Sequence, residues 1–291
     1  MQLITASTVQ SKLPAIRRTY NKFDRGRLFL AAGSYGMAGA AIMAAEAALR
    51  SGVGYLDLFV PKSIYPIVAQ RVPEAVYSVY DETDAEEAKR ILLTGIAKAD
   101  AVAAGPGLGS QRAFVTDAIL SSDAKTVLFD ADSLNRLSEL RKIPKIENLM
   151  LTPHEGEAGR LLGVPSEIVK RDRIRAVSEI AAKYRASVLL KGPETLIVSA
   201  ASDEIYVNRT GNAGLSRAGS GDVLTGIAGC MAAAGCPGLD PLLIAAFVHG
   251  EAAERIAEVV SVRCMLPTDL TTVLSAVFSA LESETGKEER R

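Results

Sequence analysis

The chain has 291 residues, 48% hydrophobic and 23% charged, which is the composition of a globular protein large enough to bury a substantial core. Its 33 basic and 34 acidic residues give a net charge of −1, so charge offers no reason to expect a nucleic acid or an anionic membrane as a partner. Three cysteines without paired spacing and two histidines argue against a disulfide framework and a histidine-rich metal site, and indicate reduced thiols in a cytoplasmic protein.

Short apolar runs alternate with longer helical patterns along the chain. The predicted strands are 27–32, 54–60, 101–104, 126–130, 149–152, 188–191, 195–199 and 205–208, and the predicted helices are 37–51, one ending at 120, 165–184, 221–234, 241–260 and 267–281. Because the strands are almost continuously apolar, the pattern predicts an α/β fold with a central, mostly parallel sheet and helices on both faces. Ligands of such sheets bind at the carboxyl ends of the strands.

No linker or repeat divides the sequence, so we expect a single domain over residues 1–291. Residues 1–20 contain no basic segment followed by an apolar run, and charges interrupt the longest apolar stretches, so neither a secretory signal nor a membrane span is expected. The charged tail over 282–291 is expected to fray.

The segment AGSGDVLTG, residues 218–226, places one acid among glycines at the predicted start of a helix. Free N–H groups at a helix start bind anions, and glycines let a phosphate approach them closely. The helix field there favours an ionised Asp222 by about 0.3–1 kcal/mol. A carboxylate beside a phosphate is useful when it orients or deprotonates a hydroxyl that attacks the phosphorus. The alternative is structural, with Asp222 as a first-turn acid and the glycines as packing residues.

Other motifs should lie at the same edge of the sheet. The loop GPGLG, residues 105–109, lacks both P-loop and dinucleotide-binding spacing, and either lines a ligand with its N–H groups or forms a tight turn. Asp130 and Asp132 end a strand, and either hold Mg²⁺ through water or cap the next helix. The segment KGPET, residues 191–195, is either a simple hairpin or a site where Lys191 and Thr195 meet nucleotide phosphates.

The segment LTPHEGE, residues 151–157, reads as a helix start. Thr152 is predicted as the N-cap and Glu155 as its capping-box partner, which gives Glu155 a structural role. His154 has no such role in this interpretation, and a donor or acceptor there would reach a substrate. His249, inside the apolar run IAAFVHGEAA, is predicted to pack between helices.

Taken together and in this order, the motifs resemble the NAD(P)H-hydrate dehydratase family over roughly residues 21–280. The resemblance rests on GMAGAAIMAAEAALRSGVG (36–54), GPGLG, FDADSLN (129–135), LTPHEGE, LLKGPET (189–195) and NAGLSRAGSGDVLTGIAG (212–229). It implies a ribokinase-like fold and a hydro-lyase that repairs NADHX and NADPHX, the hydrated forms of NADH and NADPH. In that reaction an adenine nucleotide, ADP in prokaryotic members and ATP in eukaryotic ones, phosphorylates the ring hydroxyl, and phosphate then leaves.

The same resemblance assigns residues to roles. Asp222 is implied as the catalytic base, and the implied substrate contacts are Ala40, Gly107, His154 and Asp222. The implied nucleotide contacts are Lys191, Gly192, Pro193, Glu194, Thr195 and Gly221. It further implies Mg²⁺ beside the phosphates, with no ligands assigned, and a homotetramer.

Two motifs depart from the family's usual forms. GSGD stands where GTGD is usual, and Ser220 keeps the hydroxyl. HEGE stands where HPGE is usual, so Glu155 removes some rigidity but adds the predicted capping box. Substrate contact by His154 remains the expectation.

Two other functions fit the same motifs. The first is a small-molecule kinase of the same fold, acting on a vitamin precursor or a sugar, and the second is a nucleotide sensor that has lost catalysis. His154 with the small residues Ala40 and Gly107 favours the dehydratase over the kinase, and retention of Asp222 argues against the sensor. The length leaves no room for the epimerase domain of larger bifunctional members, so the chain resembles the stand-alone dehydratase.

Overall fold

The computed structural model describes residues 1–285, apart from the side chains at positions 203, 284 and 285. The strands are β1 Gln2–Leu3, β2 Arg27–Ala31, β3 Tyr55–Pro61, β4 Val76–Tyr80, β5 Ala101–Ala104, β6 Thr126–Phe129, β7 Asn148–Leu151, β8 Ser187–Leu190, β9 Thr195–Ser199 and β10 Ser202–Asn208. The helices are α1 Ala6–Gln10, α2 Ala38–Arg50, α3 Tyr65–Arg71, α4 Ala85–Ile96, α5 Ala113–Leu120, α6 Ala131–Glu139, α7 Glu155–Leu162, α8 Ser166–Arg171, α9 Arg173–Tyr184, α10 Ser220–Ala233, α11 Asp240–Ala257 and α12 Pro267–Thr285.

The strands form one ten-stranded sheet in the order β1-β10-β9-β8-β7-β6-β5-β2-β3-β4. Neighbouring strands are parallel except β9, which runs antiparallel to both β8 and β10. The chain first moves outward from β2 to β4 and then returns to place β5 on the other side of β2. This reversal opens a crevice at the carboxyl ends of β2 and β5, where ligands of such sheets bind.

Both faces of the sheet are buried, because alternate residues of each strand join different cores. Along β2, Leu28 and Leu30 belong to the core that also contains residues of α2, α10, α11 and α12, whereas Phe29 and Ala31 belong to the core on the opposite face, with residues of α4, α5 and α9. The predicted α/β architecture, a mostly parallel sheet between two layers of helices, is confirmed.

The start of α10 is held over the crevice by close packing of α10 against the alanine-rich helix α2. A Cβ atom added to Gly226 would lie 2.1 Å from the carbonyl oxygen of Ala44 and 2.8 Å from the Cβ of Ala47. Only glycine allows the two backbones to approach this closely. The spacing of α2 and α10 thus fixes the first turn of α10 relative to the sheet.

Gly226→Ala should therefore lower the free energy of unfolding by about 1–3 kcal/mol, the usual cost of forcing a methyl group into a packed core. Gly39→Ala is the matched control, since Gly39 lies exposed in α2 with nothing within 4 Å of an added Cβ. The control should gain up to about 1 kcal/mol from the better helix propensity of alanine. Urea denaturation of both variants checks this, and an unchanged midpoint for Gly226→Ala would refute the packing argument.

The helix predicted over 165–184 is in fact two helices, α8 and α9, which are separated by Asp172. The Asp172 carboxylate accepts a hydrogen bond from the N–H of Arg175 at 3.0 Å, and this cap starts a new helix instead of continuing the old one. The sequence prediction also omits the short elements α1 and β1 and the segment α3–β4–α4.

The last helix extends further than predicted. Helix α12 runs to Thr285, into the segment 282–291 that was expected to fray, and residues 286–291 lie outside the described part of the chain. Across residues 1–285, no helix combines the length and the apolar character that a membrane span requires.

Candidate functional site

The loops after β2 and β5 meet at the crevice and hold each other in place. The Gly33 N–H donates to the Pro106 carbonyl at 2.8 Å, and the Ser34 hydroxyl donates to the Gly107 carbonyl at 2.8 Å. Gly107 has a φ of +60°, and a Cβ added there would lie 2.7 Å from the Cβ of Ala40. Ala40 and Gly107, both predicted to line the substrate site, therefore touch each other, and their small size is required by this contact.

The AGSGD motif forms the tight first turn of α10. Gly219 adopts a left-handed conformation with a φ of +99° immediately before the helix. The N–H groups of Ser220 and Asp222 donate to the carbonyls of Arg217 and Gly219 at 3.2 and 3.1 Å. In the described part of the chain, no acceptor is found for the N–H of Gly221. The turn thus satisfies several of its own amides and leaves that of Gly221 available to an anion.

A buried ion pair lies beside this turn. The Lys191 ammonium is 2.8 Å from Asp130 Oδ1 and 3.7 Å from Glu157 Oε2, and the Thr225 hydroxyl donates to Asp130 Oδ2 at 2.8 Å. A Cβ added to Gly221 would lie 3.3 Å from the Lys191 ammonium, so the pair touches the start of α10. Burial disfavours the charged ammonium, but Asp130 and Glu157 outweigh it and raise the pKa of Lys191.

Asp130, which directly follows β6, and Asp132, in the first turn of α6, have different partners. Asp130 is 1% exposed and its side chain makes no capping hydrogen bond to α6, so the cap suggested for it is wrong. Asp132 Oδ2 accepts from the N–H of Gly109 at 2.8 Å and thereby fixes the GPGLG loop. Within residues 1–285, no group of three or more His, Cys, Asp or Glu side chains is arranged to hold a metal ion.

Asp222 carries a carboxyl group with an unusual pKa. Burial, and then the neighbouring Asp130 carboxylate, raise its pKa from 3.8 to about 7, although Lys191 opposes the change. This difference corresponds to about 4 kcal/mol, which exceeds the 0.3–1 kcal/mol that a helix start contributes in the other direction. The expected bias toward the ionised form is therefore overturned. A carboxyl that titrates near neutrality is well matched to general-base catalysis.

The helix cap predicted at Thr152 is wrong, because the N-cap of α7 is His154. The His154 ring Nδ1 accepts from the N–H of Gly156 at 2.9 Å, and Glu157 Oε2 accepts from the N–H of His154 at 2.8 Å. The capping box therefore pairs His154 with Glu157, two residues later than expected. Thr152 cannot be the N-cap, because it directly follows β7 at the carboxyl end of the sheet and its N–H donates to the Phe129 carbonyl at 3.2 Å.

The cap also determines how His154 can interact with a ligand. Because Nδ1 is an acceptor, the proton of the neutral ring lies on Nε2. Burial and then the Lys191 ammonium lower the pKa of His154, which keeps the ring neutral at physiological pH. The side chain is 54% exposed and its Nε2 lies 3.4 Å from Glu157 Oε1, so a ligand in the cavity described next would compete with this carboxylate for the Nε2 proton.

A cavity of about 700 Å³ opens between α10, α11 and the turn after β8. It is lined by most of the residues predicted to bind the nucleotide, which are Lys191, Gly192, Pro193, Thr195 and Gly221. His154 also lines it. Glu194 is absent from the lining, since its carboxylate pairs with Arg209 at 2.9 Å. Ala40, Gly107 and Asp222 also lie outside the lining. The predicted site residues therefore divide into a cavity group, which comprises the lining residues named above, and a crevice group, which comprises Ala40, Gly107 and Asp222. The two groups meet at the first turn of α10, where Gly221 directly precedes Asp222.

Arg173 supports the site from outside the cavity lining, and the sequence did not indicate this role. Its guanidinium donates to the carbonyls of Glu194 at 2.8 Å, Lys191 at 3.1 Å and Leu190 at 3.2 Å, and so anchors the turn that lines the cavity. Its Nε lies 3.4 Å from Glu155 Oε1, which gives Glu155 a partner other than the predicted cap. No local pattern links a helix residue to a turn so far along the chain, which explains the omission.

His249 is buried in α11, as its apolar surroundings predicted, but it also reaches the site. Its Nε2 lies 3.1 Å from the Ser220 hydroxyl in the first turn of α10, and both residues line the cavity. A contact between two helices that are consecutive in sequence has no periodic signal, so the sequence alone gave only the packing role.

Known proteins with similar sequences indicate the family of this chain. A family model described as NAD(P)H-hydrate dehydratase matches residues 28–275. The ADP-dependent (S)-NAD(P)H-hydrate dehydratase of Neisseria meningitidis is 41% identical over 241 residues, covering 80% of this chain and 78% of that protein. The chain spans about half the length of other curated relatives, 55% and 51% in two cases.

Solved structures of related proteins are also similar to this chain. The ADP/ATP-dependent NAD(P)H-hydrate dehydratase from Bacillus subtilis, co-crystallised with ATP and Mg²⁺, has a TM-score of 0.85 and 30% identity, covering 97% of this chain and 99% of that one. A ribokinase-like superfamily protein from Enterococcus faecalis has a TM-score of 0.86 over 96% of each chain. At 24% identity the second likeness shows the fold alone, and it confirms the ribokinase-like prediction.

Proposed function

Because the chain belongs to the NAD(P)H-hydrate dehydratase family, we propose that it is a nucleotide-dependent hydro-lyase that returns NADHX and NADPHX to NADH and NADPH. One observation carries the proposal. A half-buried carboxyl with a pKa of about 7, that of Asp222, lies in the first turn of α10, and the preceding residue Gly221 lines a cavity of about 700 Å³. The turn thus places a general base next to a space large enough for a nucleotide.

The proposed chemistry has two stages. Asp222 accepts the proton of the ring hydroxyl as the hydroxyl oxygen attacks the terminal phosphorus of ADP, and AMP leaves. The ring nitrogen then donates its electron pair and the carbon–oxygen bond breaks, so that phosphate departs with the oxygen atom. Loss of a proton from the adjacent ring carbon restores the double bond of the dihydropyridine. The overall change converts NADHX and ADP into NADH, AMP and phosphate.

We propose that the cavity holds the nucleotide. Lys191, the following turn and the free N–H of Gly221 provide positive charge and donors for the phosphates. Glu194 would contribute through the main chain of this turn, since its side chain is paired with Arg209. Ala40, Gly107 and the Nε2 of His154 would contact the hydrated ring and its attached groups.

The proposed Mg²⁺ would enter with the nucleotide phosphates. The carboxylates near the site are already engaged, Asp130 by Lys191 and Thr225 and Asp132 by Gly109. The described residues therefore do not form a ready cation site, in agreement with the absence of a metal cluster within 1–285. Mg²⁺ commonly binds through substrate phosphates with few protein ligands.

The decisive assay mixes the purified protein with NADHX, Mg²⁺ and either ADP or ATP. Absorbance of the reduced ring should return, and one phosphate should be released per NADH formed. A kinase would instead accumulate a stable phosphorylated product without that absorbance. If folded protein restores no absorbance with either nucleotide, the proposal is wrong.

The rate should depend on pH through Asp222. The carboxylate must be ionised to accept a proton, so kcat/KM should rise about tenfold per pH unit below pH 7 and level off above it. The sign is opposite for stability, since between pH 3.8 and 7 the folded state binds this proton more tightly than the unfolded chain, and stability falls as pH rises. A rate profile that is flat between about pH 5.5 and 8 would contradict the role of Asp222.

Gly107→Ala tests the crevice group. The added methyl should meet Ala40 and narrow the crevice, raising KM for NADHX about tenfold while KM for ADP changes little, because a displaced contact of this kind costs about 1–3 kcal/mol. Gly36→Ala is the control, since Gly36 has a similarly positive φ of +83° but nothing within 4 Å of an added Cβ. If the KM values for NADHX and ADP rise equally, Gly107 affects the fold of the whole site and not the crevice alone.

We further propose a cytoplasmic, single-domain protein that assembles as a homotetramer. The one continuous sheet supports a single domain, and the three free cysteines fit a reducing compartment. The tetramer rests on the family resemblance, and light scattering of the purified protein would measure it.

A further inference from the structure

The contact between Ser220 and His249 is a polar interaction in the cavity wall that the proposed mechanism leaves unused. Ser220 is 4% exposed and His249 is 8% exposed, and 3.1 Å separates the serine Oγ from the histidine Nε2. Ser220 is the first residue of α10, adjacent to the free N–H of Gly221 and two residues before Asp222. A hydroxyl here lies where the transferred phosphoryl group would sit.

The protonation state of His249 limits the possible arrangements. Burial, and to a smaller extent the Lys191 ammonium, lower the pKa of His249 to about 4 against the opposing effect of a hydrogen bond to the Ser220 main chain, so its ring is neutral in the cell. A neutral ring has one N–H and one bare nitrogen, and the serine has a single proton to donate. Either Ser220 donates to the bare Nε2, or Nε2–H donates to Ser220 and frees the serine proton for another acceptor.

A phosphoryl group in the cavity selects the second arrangement, because phosphate oxygens only accept hydrogen bonds at neutral pH. The local charge makes such a donor valuable. Asp130, Glu157 and Asp222 surround the Lys191 ammonium, so an incoming phosphate meets more carboxyl groups than cations. Each correctly oriented neutral donor offsets part of this repulsion.

On the basis of the proposed function, we propose that Ser220 is a catalytic residue that donates a hydrogen bond to the transferred phosphoryl group. His249 is the positioning residue, which donates from Nε2 to Ser220 Oγ and so directs the serine proton into the cavity. The two side chains form one donor chain, in which each link strengthens the next.

Ser220→Ala should lower kcat/KM for ADP about 10- to 100-fold, the range for a lost hydrogen bond to a charged group. Ser220→Thr keeps the hydroxyl and should stay within about threefold of the unaltered protein. His249→Gln keeps an N–H donor and should be affected less than His249→Leu. The Ser220→Ala/His249→Leu double variant should be no slower than Ser220→Ala alone, because both changes break the same chain.

A spectroscopic readout separates this role from simple packing. In protein labelled with nitrogen-15, the ring signals of His249 should show a protonated Nε2 and a bare Nδ1 when ADP and Mg²⁺ are bound. A bare Nε2 in that complex would overturn the inference.

The outcomes of the kinetic test are distinguishable. If the unaltered protein fails to regenerate NADH, the proposed function fails and this inference fails with it. If the unaltered protein is active and Ser220→Ala is within threefold of it, or if the two substitutions have additive effects, only the donor chain is wrong. Thermal unfolding confirms that each variant is folded, and the alanine and threonine variants of Ser220 decide the question if His249→Leu does not fold.

Discussion

Asp222→Asn should reduce kcat by about 10²–10⁴-fold, the typical contribution of a general base. The amide has the shape of the carboxyl but cannot accept the hydroxyl proton at a useful rate. Nucleotide affinity should stay within a few-fold, since Asp222 lies outside the cavity lining. Steady-state assays with NADHX, and calorimetric titration with ADP, measure the two quantities separately.

Stability provides an internal check on this variant. The ionised form of Asp222 is disfavoured by burial, so a neutral amide should leave the protein as stable as before, or more stable, at pH 8. Glu86→Gln is the control, because Glu86 is an exposed first-turn acid in α4, away from the site, and its loss should not change the rate. Near-normal turnover by Asp222→Asn would show that the AGSGD motif has only a structural role, with Asp222 as a first-turn acid and the glycines as packing residues.

Lys191→Met should be the most damaging substitution for stability, at about 3–5 kcal/mol, because it strands the buried Asp130 carboxyl without its cation. It should also abolish measurable nucleotide binding, since Lys191 is the cation in contact with the start of α10. Urea denaturation and ADP titration give the two results.

The paired substitution separates the two effects. Lys191→Met with Asp130→Asn removes both charges, so a large part of the lost stability should return while nucleotide binding stays absent. If the double variant is as unstable as Lys191→Met, Lys191 acts through contacts other than this ion pair.

Much of the site followed from local sequence because its motifs lie at predictable places in the fold. Apolar strands followed by turns located the carboxyl edge of the sheet, and the glycines around Asp222 identified a helix start there. The structure brings these turns together, and Lys191 and Gly221 line one cavity.

What the sequence missed depends on contacts between distant segments. Two overlapping patterns, Thr152 with Glu155 and His154 with Glu157, satisfy the capping-box spacing equally well. The sheet decided between them by extending its hydrogen bonds to Thr152. Similarly, the raised pKa of Asp222 depends on burial and on Asp130, which follows the distant strand β6, so the position of Asp222 at a helix start alone gave the wrong direction for its pKa shift.

The central claim is that the ring hydroxyl becomes part of the departing phosphate, and oxygen-18 in that hydroxyl tests it most directly. Labelled NADHX would be converted with unlabelled ADP in ordinary water, and the released phosphate examined by mass spectrometry. The account predicts one labelled oxygen in each phosphate released. Unlabelled phosphate, with the label recovered in water, would show that nucleotide cleavage and dehydration are separate events and would contradict it.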